Sequence, residues 1–110
     1  MIGFYLLVAH CIGDYVIQND WMAKNKKQSS LICAIHSFSY TLPFILCGLS
    51  WYQLLLIFGQ HHLQDRYNVV LWYMKVSGKS DFAKPPLAPW SIFAVDNTFH
   101  LAWIAIVTLL

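Results

Sequence analysis

Histidine and aspartate recur in this sequence at a spacing that suits metal binding. The chain contains five histidines, five aspartates and no glutamate. If these residues were placed at random, about 0.4 pairs of histidine and aspartate would be expected at a separation of four residues. The sequence has three such pairs: His10 with Asp14, His61 with Asp65, and Asp96 with His100. Residues four apart share one face of a helix, with Cβ atoms about 5–6 Å apart. Each pair can therefore hold a metal ion or form a hydrogen bond within itself.

Together with a further histidine, these pairs give seven candidate metal ligands. They are His10, Asp14, His36, His61, Asp65, Asp96 and His100. Seven ligands suffice for two divalent ions that share a carboxylate, and two such ions against three carboxylates leave a site that attracts a phosphoryl group. Paired metals activate water and stabilise the oxygens of a displacement at phosphorus. Mixed nitrogen and oxygen ligands favour zinc, manganese or iron over calcium.

The composition indicates the kind of structure that must position these residues. Hydrophobic residues make up 58% of the 110 residues and charged residues 11%, with a mean hydropathy of +0.51. A soluble domain carries about 25% charged residues. These values argue against a disordered chain and an ordinary soluble enzyme, and the net charge of +2 argues against a nucleic-acid partner. Cys11, Cys33 and Cys47 form no C-x-x-C pair and indicate buried small residues.

Four apolar stretches are long enough to cross a hydrocarbon core about 30 Å thick. They predict an all-α, integral membrane four-helix bundle that forms a single domain over residues 1–110, with spans at 2–18, 31–49, 51–76 and 90–110. If all four cross, every lysine and arginine lies on one side, which the positive-inside rule assigns to the cytoplasm. The prediction is therefore short cytoplasmic loops and both termini on the outer side of a bacterial or host inner membrane.

The depths of the candidate ligands in these spans agree with one another. A helix rises about 1.5 Å per residue, which places Asp14, His36 and Asp96 about 6–9 Å from the lysine-bearing end. His10 and His100 lie about 12–15 Å from that end. The pair in the third stretch reaches the same layer if that helix leaves the core near Arg66. We therefore expect the ligands to meet in one layer near the cytoplasmic face, since buried ionisable groups in membranes face the bundle interior.

Other polar residues are expected to support this layer. Gln18, Asn68 and His62 are predicted to hold the ligands in place by hydrogen bonds, as are Gln60 and Gln64. His62 lies one residue off the His61 stripe, so that helical direction favours packing or an interfacial position for it over a supporting role. Asn97 and Thr98 are also interpreted as hydrogen-bonding groups. A serine nucleophile at Ser37 or Ser39 is not favoured, because no nucleophile-elbow pattern surrounds it.

Four segments of the sequence resemble the domain-of-unknown-function 3307 family of small bacterial and phage membrane proteins. They are HCIGDYVIQNDWMAKNKK at residues 10–27, His36 with Tyr40, HHLQD at residues 61–65, and DNTFH at residues 96–100. The resemblance implies an integral membrane helical protein with polar residues at these positions, and it implies no reaction. The ligands are also similar in style to those of membrane-bound metal-dependent hydrolases and of zinc phospholipase C and P1 nuclease. The tryptophan-led N-terminal ligand and the large soluble cleft of the latter two enzymes are missing.

Two functions follow as hypotheses. The first is a membrane-embedded metal-dependent hydrolase with Asp14, Asp65 and Asp96 as catalytic carboxylates, acting on a phosphorylated or lipid-like substrate at the cytoplasmic face. The second is a non-enzymatic membrane interaction or proton-relay protein of bacterial or phage origin, in which histidine and aspartate form a structural network without metal. The expected partners are membrane lipids and a second copy of the chain.

Overall fold

The computed structural model describes residues 2–110 and confirms the predicted all-α class. Six α-helices and one π-helical segment account for the regular structure, and residues 2–110 contain no strand. The helices are α1 (Ile2–Cys11), α2 (Asp20–Asn25), α3 (Ser30–Ile45), α4 (Trp51–Arg66), α5 (Val69–Val76) and α6 (Trp90–Val107), and the π-helical segment (Ile12–Ile17) follows α1 directly.

Local sequence signals fix where the helices begin. The side chain of Asn19 accepts a hydrogen bond from the Met22 amide at the start of α2, and the side chain of Ser29 accepts one from the Ile32 amide at the start of α3. Ser50 and Gln53 form a reciprocal capping box at the start of α4. These contacts satisfy amide groups that have no partner within the helix.

The apolar core lies between α1, α3, α4 and α6. It consists of Leu6, Ala9, Tyr40, Phe44, Ile57, Ile104 and Val107. Gln53 donates to the Val107 carbonyl and Tyr52 donates to the Leu110 carbonyl, so the start of α4 meets the end of α6. Lys26 and Lys27 contact the opposite end of α4, at Asp65 and Arg66. The buried histidines therefore lie between an apolar core and a polar, lysine-bearing end.

Gly13 allows the π-helical segment to approach α3 closely. A Cβ atom at this position would lie 2.9 Å from the Tyr40 carbonyl oxygen and 3.0 Å from its Cα. Only glycine fits such a backbone contact. The close approach and the wider π turn together place Asp14, the next residue, inside the bundle, and π turns of this kind often occur at functional sites.

The predicted third span, residues 51–76, is wrong as a single helix. The chain forms α4 up to Arg66, turns extended at Tyr67 and starts α5 at Val69. The Lys27 ammonium donates to the carbonyls of Asp65 and Tyr67 at this break. A cation there stabilises the free carbonyls at a helix C-terminus, so that α4 can end at this position.

The predicted bundle of four membrane-crossing helices is not supported at that level of detail. Within residues 2–110, one helix, Trp90–Val107, is long and apolar enough to cross a membrane. The apolar segments Ile2–Ile17 and Ser30–Ile45 are shorter. The first stretch stops before Asn19, which caps α2, and the second forms a helix only from the Ser29 cap to Ile45. The third contains several polar residues and the break after Arg66.

Candidate metal centre

Four side chains from three parts of the chain converge on one buried point. Asp14 comes from the π-helical segment, His36 from α3, and His61 and Asp65 from α4. One candidate ligand atom from each lies within 4.8 Å of all the others. We call these four residues the primary cluster. All four are buried, with side chains at most 9% exposed.

The spacing of the ligand atoms in the primary cluster is that of a metal site. The Nε2 atoms of His36 and His61 each lie 3.4 Å from Asp14 Oδ1. The same two atoms lie 3.0 and 3.1 Å from Asp65 Oδ2. Bonds of about 2.0–2.2 Å in a tetrahedral site imply ligand atoms roughly 3.3–3.5 Å apart. These four distances are within a few tenths of an ångström of a tetrahedral zinc shell, whereas the 2.8 Å between the two Nε2 atoms is about half an ångström shorter than such a shell requires.

The His61 imidazole of the primary cluster is held by ring stacking. The His61 ring stacks on Tyr40 with centroids 3.6 Å apart and on His100 with centroids 4.2 Å apart. The Nδ1 atoms of His36 and His61 have no hydrogen-bond partner among the described residues, and neither does Asp14 Oδ1. A buried carboxylate oxygen without a donor is costly, so a cation at this point satisfies a group that the protein leaves open.

A second group of candidate ligands shares Asp14 with the primary cluster. It comprises Asp14, Asp96 and His100, with Asp96 and His100 both on α6. His100 Nε2 lies 3.6 Å from Asp96 Oδ2 and 3.2 Å from Asp65 Oδ1. The Gln64 amide donates to Asp96 Oδ1 at 2.9 Å and to the Asp96 carbonyl at 3.0 Å, which fixes the carboxylate. Asp14 is thus placed to bridge two ions.

His10, a predicted ligand, lies beside the clusters but is engaged elsewhere. Its Nε2 donates to Asn97 Oδ1 at 2.9 Å, and its Nδ1 therefore accepts from the Tyr40 hydroxyl at 2.7 Å. The nearest Asp14 oxygen is 3.9 Å from Nε2. Because both ring nitrogens are used, His10 in this arrangement positions Asn97 and Tyr40 and offers no lone pair to a metal.

Lys26 brings a positive charge to the edge of the primary cluster. Its Nζ lies 2.8 Å from Asp65 Oδ2 and donates to Gln18 Oε1 at 3.0 Å. Burial lowers the pKa of the Lys26 ammonium, but the nearby Asp65 carboxylate more than offsets this, so the pKa is raised above its ordinary value. Lys26 therefore stays charged and holds Asp65 in its ionised form.

The three residues predicted to support the ligands differ in placement. Gln18 donates to the Asp14 carbonyl and accepts from Lys26, so it contacts the cluster's surroundings directly. Asn68 is exposed at the break between α4 and α5. His62 is partly buried and stacks on Phe58, one residue away from the His61 stripe. In the structure His62 therefore has a packing role.

A cavity of about 400 Å³ adjoins both groups of ligands. Asp14, Asp65 and Asp96 line one part of it together with Lys26 and Lys27. Val70, Leu71, Ile92 and Phe93 line another part. The volume lies in the range of small-molecule sites, roughly 300–1,000 Å³. The carboxylates are thus accessible to a ligand.

Sequence reasoning missed the roles of Lys26 and Asn97 in this site. The lysines of the first loop were interpreted as topology signals, because 39 residues separate Lys26 from Asp65 and no local pattern connects them. Asn97 stands next to Asp96, but its contact with His10 spans 87 residues. Its amide also donates to the Tyr15 hydroxyl. These contacts depend on helix packing, which spacing alone does not reveal.

The model of the family described as "Protein of unknown function (DUF3307)" matches residues 2–110, and the chain therefore belongs to that family. The match covers all four segments that carried the resemblance. Comparison with curated proteins and with solved structures gave no match.

Proposed function

We propose that this member of the DUF3307 family is a membrane-embedded, metal-dependent hydrolase that acts on a phosphate ester at the lysine-bearing, cytoplasmic face. The observation that carries the proposal is the convergence of Asp14, His36, His61 and Asp65 at metal-ligand spacing, within 4.8 Å of one another. Buried ionisable groups assembled in this way are typical of functional sites.

In this proposal the primary cluster holds one divalent ion, zinc or manganese, and Asp14, Asp96 and His100 hold a second. Such ions activate a water molecule as the nucleophile and stabilise negative charge on phosphoryl oxygens. Asp14 fixes the distance between the two positions because it belongs to both groups. The other aspartates complete one position each.

The remaining groups orient these carboxylates. Lys26 and Gln64 hold Asp65 and Asp96 by hydrogen bonds of 2.8 and 2.9 Å. The Asp96 side chain is 29% exposed, whereas that of Asp65 is 3% exposed. Asp96 is therefore the more open of these two carboxylates to the cavity.

The outward-facing residues support a membrane location. Only 22% of the apolar window Trp90–Val107 is buried inside the bundle, whereas the core helix of a soluble protein is mostly buried. Leu46, Leu109 and Val16 are 92%, 85% and 74% exposed. Monomeric soluble proteins rarely expose large contiguous apolar surfaces. In a bilayer these side chains meet lipid, and the expected partners are membrane lipids and a second copy of the chain.

A second candidate function is a proton relay or structural network without metal. The observation that favours it is that His36, His61, Asp65 and Lys26 already form direct hydrogen bonds of 2.8–3.0 Å. Such a network locks helices together and can pass a proton. It leaves Asp14 Oδ1 without a donor, which is why we favour the metal site.

Release of p-nitrophenol by the purified protein tests the proposal. We expect hydrolysis of p-nitrophenyl phosphate or bis-p-nitrophenyl phosphate that depends on added Mn²⁺ or Zn²⁺ and falls at least about 100-fold in Asp65→Asn. The matched control His62→Gln, which changes a neighbouring histidine outside the cluster, should retain activity. Metal binding without any hydrolysis of either ester would refute the enzyme function.

A further inference from the structure

The cavity beside the metal centre has two chemically distinct parts. Its polar part contains the three aspartates, Lys26 and Lys27, and its apolar part is formed by α5 and the first turn of α6. On α6 the lining changes from apolar, at Ile92 and Phe93, to polar, at Asp96, within one turn. A ligand that fills the whole cavity must therefore have a polar end and an apolar end.

The net charge of the cavity's polar part determines whether the polar end of the ligand is an anion or a cation. Three carboxylates exceed two ammonium groups by one negative charge, so the lining without metal repels anions. One divalent ion in the primary cluster reverses this to a net charge of +1 and two ions raise it further. The polar end is therefore an anion whose binding requires the metal, and the tetrahedral, multiply charged phosphate monoester fits that requirement.

The two lysines are positioned differently around this anion. Lys27 is exposed and donates to the carbonyls of Asp65 and Tyr67 at the end of α4. The Lys26 side chain is 18% exposed and lies against Asp65. Lys26 therefore contributes its charge inside the cavity, in a partly desolvated position where a charge-assisted hydrogen bond is strong.

The apolar part opens outward. Leu71 is 43% and Phe93 is 59% exposed, although both line the cavity. A wall with this exposure continues onto the outer apolar surface of the molecule. An alkyl chain attached to the anion can leave the cavity along these side chains and continue into the surrounding lipid.

We propose that the ligand of this cavity is a phosphate monoester on an alkyl or acyl chain, with its phosphate beside Lys26 and the metal centre and its chain along Leu71 and Phe93. This inference rests on the proposed function for the presence of the metal. It adds the substrate class and names Lys26 as the phosphate-binding residue. A phosphate with an alkyl chain should also bind differently from free phosphate, since only the alkyl chain can contact the apolar part of the cavity.

Calorimetric titration of the full chain in phosphatidylcholine nanodiscs, loaded with Mn²⁺, tests this proposal with hexyl phosphate, inorganic phosphate and hexanol as probes. Each buried methylene strengthens binding about four-fold. We expect hexyl phosphate to bind at least about 30-fold more tightly than inorganic phosphate, after subtraction of the signal from empty nanodiscs. Hexanol should give no saturable binding, and omission of Mn²⁺ should abolish binding of both phosphates.

Matched variants test whether the polar part of the cavity binds the phosphate and the apolar part binds the alkyl chain. Lys26→Met should weaken binding of both phosphates about 10-fold, whereas Lys24→Met, which removes an exposed lysine from the same segment, should not. Lys26→Arg, which keeps the charge, should stay within about three-fold of wild type. Leu71→Asn should weaken hexyl phosphate and leave inorganic phosphate unchanged. Equal affinities for the two phosphates, or equal effects of Lys26→Met and Lys24→Met, would overturn the proposal.

The outcome is separable from that of the proposed function. Tight, metal-dependent binding of hexyl phosphate without release of phosphate would refute hydrolysis and leave the ligand class in place. Hydrolysis of p-nitrophenyl phosphate with no preference for hexyl phosphate would refute the ligand class alone.

Discussion

The Nε2 atoms of His36 and His61 face each other at a distance of 2.8 Å, and both lie about 3 Å from the same oxygen of Asp65. Two neutral imidazoles cannot point their lone pairs at each other across this distance unless a proton or a cation lies between them. Asp14 Oδ1 closes the arrangement at 3.4 Å from each nitrogen. The proposed metal centre rests on this geometry, in which four ligand atoms surround one buried point.

Substitution of one ligand in the primary cluster should sharply weaken metal binding. We expect His61→Gln to raise the dissociation constant for Zn²⁺ by more than about 100-fold, since even groups that only orient a ligand contribute 10–100-fold. Calorimetric titration of the metal-free protein measures the change. His62→Gln is the control, because His62 stacks on Phe58 outside the cluster. Equal loss in both variants would point to a general folding defect.

Asp96→Asn separates the two groups of ligands. Asp96 belongs to the second group and is absent from the primary cluster. We expect the variant to keep one ion and to lose a second, weaker one, because an amide binds divalent metals less strongly than a carboxylate. A metal titration that follows stoichiometry shows this directly. Loss of all metal in Asp96→Asn would contradict two positions joined through Asp14.

Gly13→Ala should disturb the centre without changing any polar group. The added methyl would overlap the Tyr40 backbone, so the π-helical segment must shift away from α3. Such overpacking destabilises by about 1–3 kcal/mol, and the shift should also weaken metal binding through Asp14. Thermal unfolding and metal titration measure the two effects.

Gly59→Ala is the matched control for that substitution. No atom lies within 4 Å of a Cβ placed at Gly59 in α4. In the interior of a helix, alanine is favoured over glycine by about 0.5–1 kcal/mol, so this variant should be as stable as wild type or more so. A Gly13→Ala protein as stable as Gly59→Ala would show that the close approach to Tyr40 is not required.

His10→Gln should lower stability while the metal content is retained. His10 bridges the buried Tyr40 hydroxyl and Asn97, and both of its ring nitrogens are occupied. An unsatisfied buried hydroxyl destabilises by about 1–3 kcal/mol. Denaturation and metal analysis of the same sample test both halves of this expectation. If the variant loses its metal while remaining folded, His10 acts as a ligand in the loaded protein.

Membrane integration can be examined by an alkaline carbonate wash of cell membranes. We expect the protein to stay in the pellet, because lipid would cover its outward-facing apolar side chains, including Leu46 and Leu109, in the proposed membrane location. Release of folded protein into the supernatant would contradict integration and favour oligomerisation as the means of covering these surfaces.

The sequence predicted those parts of the structure that depend on local spacing. The pairs His61 with Asp65 on α4 and Asp96 with His100 on α6 share a helical face as expected. His36, which has no aspartate four residues away, was assigned to the ligand layer from its depth alone, and it lies in the primary cluster. Helical rise and periodicity are sufficient for such inferences because they do not depend on how helices pack.

Features that depend on packing could not be predicted from spacing. The break after Arg66 is stabilised by Lys27 from a distant loop, so the sequence alone predicts one span over residues 51–76. His10 has the same spacing to Asp14 as His61 to Asp65, yet Asn97 and Tyr40 take up its nitrogens. The competition between partners is decided by the three-dimensional neighbours of each ring, which a single sequence does not identify.

The most direct test is the metal content of the wild-type chain, purified without chelators or metal-affinity steps and measured by inductively coupled plasma mass spectrometry. We predict at least about one equivalent of zinc, manganese or iron per chain, and close to none in a His36→Ala, His61→Ala double variant that remains folded. A folded wild-type protein without bound metal, and with no uptake when Zn²⁺ or Mn²⁺ is added, would contradict the metal centre.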